Sequence, residues 1–240
     1  MKIIVINNIK GGTGKSTITA NLISSLIDIG HKVCSIDLDS PQHTLFNYVN
    51  NRSEDLPLME CETMDYKGDC NEIKNKIDSL REKYDFVFVD TPGGDFESLK
   101  DICMMADIIV TPISDSYLDL DVVLQIKNKQ SFMPGCYSKI IWDIKKKKSQ
   151  DSKNLDWVIV PNKFNVRKTK NQESVYKLLS KASPVLSGRI SNFIKDRVVF
   201  KELFNKGRTV FDLKKSELTV SRVAAKNEIR MLSKYVLGEI

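Results

Sequence analysis

No apolar run in the chain approaches the roughly 20 residues that a bilayer-crossing helix needs, so no membrane-crossing helix is expected. The residues after Met1 pass directly into a strand-like KIIVIN with no signal-peptide pattern, and the expected location is the cytoplasm without stable membrane association. The cysteines, Cys34, Cys61, Cys70, Cys103 and Cys136, form no CxxC pair, and only His31 and His43 are available to join them. That scarcity argues against a zinc scaffold and for buried free thiols. No internal repeat is present, and the one low-complexity stretch, KKKKSQDSKN at 145–154, reads as an exposed loop or a ragged helix end. Acidic residues are scarce in the second half. Residues 1–120 carry 11 Lys and Arg against 20 Asp and Glu (net −9), whereas residues 121–240 carry 26 against 11 (net +15). An imbalance of this kind points to a polyanionic partner for the second half, with a solvated basic surface as the alternative.

A length of 240 residues with 41% hydrophobic content suits one α/β domain spanning 1–240. Apolar runs recur at IIVIN from Ile3, VCSIDLD from Val33, FVFVD from Phe86, IIVTP from Ile108 and WVIVP from Trp157. Continuous runs of this kind are strands buried on both faces. Helix-period segments alternate with them at 15–29, 71–83, 95–105, 117–131 and 170–182. The pattern predicts a doubly wound, mostly parallel sheet with helices on both faces, with ligands at the carboxyl ends of its strands. A last helix over 218–237 carries a basic stripe, Arg222, Lys226, Arg230 and Lys234, and is expected to pack on the domain rather than on a membrane.

The stretch KGGTGKST at 10–17 follows the first strand and opens the first helix. Gly11, Gly12 and Gly14 allow a turn tight enough for successive N–H groups to face an anion, and the helix start adds its positive end. Thr13 and Thr17 complete a phosphate-binding loop in which Lys15 sits on the β- and γ-phosphates and the Ser16 hydroxyl ligates Mg²⁺. The generic P-loop pattern asks for glycine where this chain has Ile9, and a second lysine, Lys10, precedes the glycines. Asp37 and Asp39 end the second apolar run two residues apart, a spacing that addresses one site from one strand face. Asp90 closes FVFVD in the manner of a metal-holding acid, and Thr91, Pro92, Gly93 and Gly94 follow as a bend. PNKFN at 161–165 lacks the carboxylate that reads guanine, having Asn165 in its place, while Asn162 offers the paired donor and acceptor suited to adenine. ATP is the expected nucleotide.

The loop KGGTGKST resembles the deviant Walker A motif of the ParA/MinD superfamily of P-loop NTPases. DTPGGD at 90–95, ADIIVTPISDSYLDLDVV at 106–123, LDWVIVPNK at 155–163 and KDRVVFKELFNKGRTVFDL at 195–213 resemble its MipZ branch, over nearly the whole chain except 50–80. The resemblance implies that Lys10 reaches across a dimer interface to the partner's nucleotide, that Asp37 belongs to the outer shell of Mg²⁺ with Asp90 also at the metal, and that Asp39 orients the attacking water, with Lys10, Lys15 and Asp39 the catalytic set. It further implies a slow ATPase that forms an ATP-dependent homodimer, binds DNA without sequence preference, associates with ParB and inhibits FtsZ polymerisation. Such a protein is nucleoid-associated and enriched near the cell poles through ParB. Arg167, Lys168 and Lys170, with Arg189, Lys195 and Arg197, are the expected phosphate contacts to DNA, because both clusters follow strand ends. A chromosome- or plasmid-partitioning ATPase of ParA type is the nearest alternative. A MinD-like membrane switch, a metabolic ligase and an iron–sulfur ATPase are weaker ones.

Overall fold

A computed structural model of the chain describes residues 1–66, 70–94, 99–128, 131–167 and 169–240. Its strands are β1 (Lys2–Ile6), β2 (Val33–Asp37), β3 (Glu60–Thr63), β4 (Phe86–Asp90), β5 (Ile108–Ile113), β6 (Leu124–Asn128), β7 (Ser131–Pro134), β8 (Asp156–Pro161) and β9 (Arg189–Ile190). Its α-helices are α1 (Lys15–Asp28), α2 (Thr44–Asn50), α3 (Asn71–Leu80), α4 (Lys100–Met105), α5 (Tyr117–Val123), α6 (Cys136–Gln150), α7 (Lys170–Leu186), α8 (Val198–Phe204) and α9 (Val220–Leu237). Seven strands form one sheet in the order β3-β2-β4-β1-β5-β8-β9, and every pair in it is parallel.

The central strands are apolar throughout because both faces are covered. Alternate residues feed two cores: Ile3, Val5, Val87, Val89 and Ile109 pack with α3 to α7, while Ile4, Ile6, Phe86, Phe88 and Val110 pack with α1, α2, α8 and α9. All seven carboxyl ends therefore lie on one rim. β1 sits between β4 and β5, so the chain winds outward to either side of it, and its carboxyl end opens on the crevice where such sheets hold ligands.

One segment departs from the sequence expectation, and two others are given detail by the structure. The helix foreseen over 117–131 stops at Val123 and gives way to an antiparallel β6–β7 hairpin. The Val123 carbonyl, which a continuing helix would use internally, instead accepts from Gly135 N–H at 2.9 Å and from the Ser138 hydroxyl at 2.6 Å. Gly135 permits this return, since a Cβ there would lie 2.1 Å from the Val122 carbonyl oxygen. The lysine run at 145–154 mostly belongs to α6, and Lys148 is turned inward, donating to the carbonyls of Met104 and Ala106 at the end of α4. A cation at a helix C-terminus meets its negative dipole end. The helix foreseen over 95–105 is seen as α4 from Lys100, positions 95–98 lying outside the described residues. The terminal helix packs on α1 through Ala225, Ile229, Leu232 and Val236, and its Lys226 and Arg230 pair with Asp28. Among the described residues, no helix is long and apolar enough to cross a membrane.

Candidate functional site

β1 ends at Ile6, and the loop from Asn7 to Gly14 carries the chain over the rim into α1. Gly12 and Gly14 take left-handed backbones, with φ of 74° and 93°, which would cost a side-chain-bearing residue about 1 to 2 kcal/mol each. Gly14 is also the N-cap of α1 and offers no side-chain cap, and the first turn of α1 contains no acid. The unpaired N–H groups of that turn and the helix dipole therefore make an anion site. Lys15 is 7% exposed, with its Nζ 3.4 Å from the Lys10 carbonyl oxygen. Burial lowers its pKa, against the opposing pull of Asp90 and Asp39. Lys10 has its backbone fixed by Asn8, whose Oδ1 accepts from Lys10 N–H at 2.9 Å, and its half-exposed ammonium makes no ion pair among the described residues. The two lysines thus differ: Lys15 is buried against its own loop, whereas Lys10 is half-exposed and makes no ion pair among the described residues.

The three aspartates divide their work. Asp37 and Asp90 are register partners on adjacent strands. Asp37 is wholly buried, and its carboxylate accepts from the N–H groups of Asp39, Leu45 and Phe46 at 2.9 to 3.0 Å. It thereby anchors the first turn of α2 beside the site. Asp39 lies past the end of β2, where burial raises its pKa, Lys15 pulls it down, Asp37 pushes it up and His43 lowers it again. Asp37 and Asp39 stay adjacent, Asp39 N–H donating to Asp37 Oδ1, although only Asp37 lies within β2. Asp90 accepts from the Thr19 hydroxyl at 3.2 Å through Oδ1, while its buried Oδ2 has no hydrogen-bond partner. Burial pushes this carboxyl up to about 7; Ser16 pulls it down, Asp37 pushes it up, and Lys15 and Thr19 pull it down. The orphaned Asp90 oxygen and the nearby Ser16 hydroxyl are hard oxygen donors that fit a divalent cation such as Mg²⁺, while the Lys15 ammonium beside them is a counter-charge and not a ligand.

Neighbouring strands complete the enclosure. Thr91 bonds to Asn7 and to the Ile6 carbonyl, tying the β4 bend to the loop's root. Gly93 comes so close that a Cβ would stand 3.0 Å from Gly11 Cα and 3.3 Å from Lys15 Nζ. From β8, Asn162 donates Nδ2 to the Thr13 carbonyl at 2.8 Å, and Lys163 donates to the Gly12 carbonyl. Sequence reasoning named Asn162 for the base and missed Asn8, Thr19 and Lys163. Thr19 carried a signal, standing one helical turn beyond Lys15 on the same face. Lys163 and Asn8 carried none by spacing.

The basic residues separate by placement. Arg167 and Lys170 are exposed beyond β8, and Lys195 is half-exposed with its ammonium 6.0 Å from the Phe193 ring. Lys168 lies outside the described residues. Arg197 is 7% exposed and held by Glu228 at 2.6 Å and Ser221 at 3.1 Å. Arg189 bonds to Asp156, the first residue of β8, and to the Tyr235 carbonyl. It therefore points to the amino end of the sheet, opposite the rim. Both guanidinium groups are spent within the chain, which leaves Arg167, Lys170 and Lys195 among the described residues with side chains open to a phosphate.

The profile of the family described as ATPase MipZ matches residues 2–237. The chain belongs to the MipZ ATPase family. Among curated relatives, the septum site-determining protein MinD of Helicobacter pylori is 26% identical over 160 residues, covering 54% of this chain and 60% of that protein. MinD of Bacillus subtilis is 26% identical over 159 residues, covering 53% and 59%. The chain thus matches about 60% of the length of these relatives. Among solved structures, the ATP complex of a McdA variant from Cyanothece superposes with a TM-score of 0.69 at 18% identity, covering 99% of this chain and 96% of that one. MinD of Pyrococcus horikoshii with Mg-ADP gives 0.67 at 19%, covering 98% and 95%. At such identities the likeness is one of fold: the MipZ-family chain has the ParA/MinD architecture.

Proposed function

We propose that this MipZ-family chain is an ATP-driven monomer–dimer switch that hydrolyses ATP slowly and regulates placement of the division site. The observation that carries the reading is the split between its two loop lysines. Lys15 is buried against its own loop, whereas Lys10 has a pinned backbone and an ammonium with no ion pair among the described residues. A second copy facing this rim would bring a nucleotide's γ-phosphate to Lys10, and losing that phosphate would remove the charge compensation holding the copies together. Apolar area for such a contact stands on the same rim in Tyr117, Leu118 and Val166, which are 47%, 74% and 52% exposed.

In the nucleotide site, Gly11 to Thr17 cradle the phosphates, Asn162 reads adenine with the amide capacity that its bond to the Thr13 carbonyl leaves over, and Ser16 with Asp90 would hold Mg²⁺ while Asp37 supports from the outer shell. Bound there, Mg²⁺ would neutralise charge on the β- and γ-phosphates. Lys15 offsets further charge on the transferring group, and Asp39 orients the attacking water in this reading, which its electrostatic coupling to Lys15 supports. Arg167, Lys170 and Lys195 then supply non-specific DNA contacts that dimerisation doubles. FtsZ is the proposed target, ParB the proposed partner near the poles, and the nucleoid in the cytoplasm the proposed location.

Light scattering with a non-hydrolysable ATP analogue and Mg²⁺ tests the reading. The expected mass is twice the 27.3 kDa of one chain, with Lys10→Ala returning it to a monomer that still binds nucleotide. Single-chain mass for the unmodified protein at all practical concentrations would refute the switch. The basic second half also suits a partitioning ATPase, and a Borrelia burgdorferi putative plasmid partition protein bound to AMPPNP shares the fold at a TM-score of 0.65. Pelleting FtsZ polymers with the ATP-loaded chain separates the two readings, since only the first predicts loss of polymer.

A further inference from the structure

The phosphate loop is gripped from outside by two consecutive residues at the carboxyl end of β8. Asn162 holds the Thr13 carbonyl at 2.8 Å, and the Lys163 ammonium holds the Gly12 carbonyl. A trans peptide is planar, so its C=O and N–H point in opposite directions. Holding the Gly12 carbonyl outward turns the Thr13 N–H inward, and holding the Thr13 carbonyl outward does the same for the Gly14 N–H. Two adjacent donors of the anion site are thereby aimed by two adjacent side chains.

Lys163 does this at a conformational cost. Its φ is +59°, in the left-handed region that side-chain-bearing residues avoid, and such strain persists where surroundings over-determine it and clusters at functional sites. The side chain is exposed, so water is a ready alternative partner for its ammonium. It reaches instead across 151 positions of sequence to a loop carbonyl. Its Cε also lies 3.5 Å from where a Cβ on Gly14 would stand, so the stem covers the loop at the glycine that begins α1.

We infer that Lys163 is a positioning residue for the polyphosphate: through the Gly12 carbonyl it sets the direction of the Thr13 N–H and so the loop's affinity for a nucleoside di- or triphosphate. The inference rests on the nucleotide-binding reading above. It makes Lys163 a contributor to binding that touches no phosphate itself.

The test is the Kd for a fluorescent, ribose-labelled ADP with Mg²⁺, read beside the Tm of the nucleotide-free chain. Lys163→Met keeps the stem and loses the charge, and weakens binding about ten-fold. Lys163→Arg recovers most of that loss. Lys163→Gly removes the ammonium together with the backbone strain, so the free chain melts no lower than the unmodified one while its affinity falls as for methionine. Unchanged affinity in Lys163→Met overturns the inference and leaves the nucleotide reading intact. A Tm fall in the glycine variant that tracks the affinity loss, with no rescue by arginine, reduces Lys163 to a packing role and also overturns it. Failure of the unmodified chain to bind the probe refutes the nucleotide reading itself.

Discussion

Neutralising Asp90 should change how this protein's stability depends on pH. The carboxyl is 1% exposed, and burial lifts it from 3.8 to about 7. Between those values the folded chain keeps a proton that the unfolded chain has released. Stability therefore falls as pH rises from about 4 to about 7 and levels off above. At 1.36 kcal/mol per pH unit the whole effect is about 4 kcal/mol. Asp90→Asn removes the ionisation cost but places an amide N–H where Oδ2 lacks a partner, which costs about 1 to 3 kcal/mol. The variant should gain about 1 to 3 kcal/mol over the unmodified chain at pH 8 and show no gain near pH 4. Urea denaturation of the metal- and nucleotide-free protein, run from pH 4 to 8.5, reads this directly. The difference between the two profiles isolates Asp90 from Asp39, whose raised pKa acts in the same direction. Parallel profiles would refute the reasoning. Metal coordination needs the ionised carboxylate, so Mg²⁺-dependent nucleotide binding by the unmodified chain should tighten as pH rises through about 7.

Arg52 and Asp212 form a bidentate pair at 2.9 Å with side chains 5% and 1% exposed, joining the segment after α2 to the loop before α9. Asp212→Ala should cost about 3 to 5 kcal/mol in urea, because a guanidinium would remain buried without its counter-charge; a loss under about 1 kcal/mol would show that the site relaxes to admit water. Gly93→Ala pushes a methyl against Gly11 and the Lys15 ammonium. ATP affinity should fall about ten-fold or more, equivalent to the 1 to 3 kcal/mol that overpacking typically costs. Unchanged affinity would mean that the β4 bend does not set the shape of the loop.

The β-strands that hold the site could be read from composition because parallel strands covered on both faces must be apolar throughout, and IIVIN, FVFVD, IIVTP and WVIVP all are. The phosphate loop was legible for a similar reason: positive φ at Gly12 and Gly14 demands glycine locally, whatever the rest of the chain does. Where local signals competed, tertiary contacts won. The period after Tyr117 continued as helix, yet the hairpin closed by Gly135 and Ser138 took the Val123 carbonyl. The lysine run looked solvated, yet Lys148 is anchored on α4.

Residue types and spacings by themselves determined that a sheet rim would carry a phosphate loop, three aspartates and an extra lysine, since each of those features rests on short-range geometry. Only the tertiary structure decided which charges are spent and which are left over. Arg189 and Arg197 find acids within the chain, Asp37 anchors α2, Lys163 turns back onto the loop, the Lys10 ammonium makes no ion pair among the described residues, and Asp90 Oδ2 accepts no hydrogen bond there. Pairing of that kind depends on which distant segments the fold brings within about 3 Å, and sequence spacing carries no record of it.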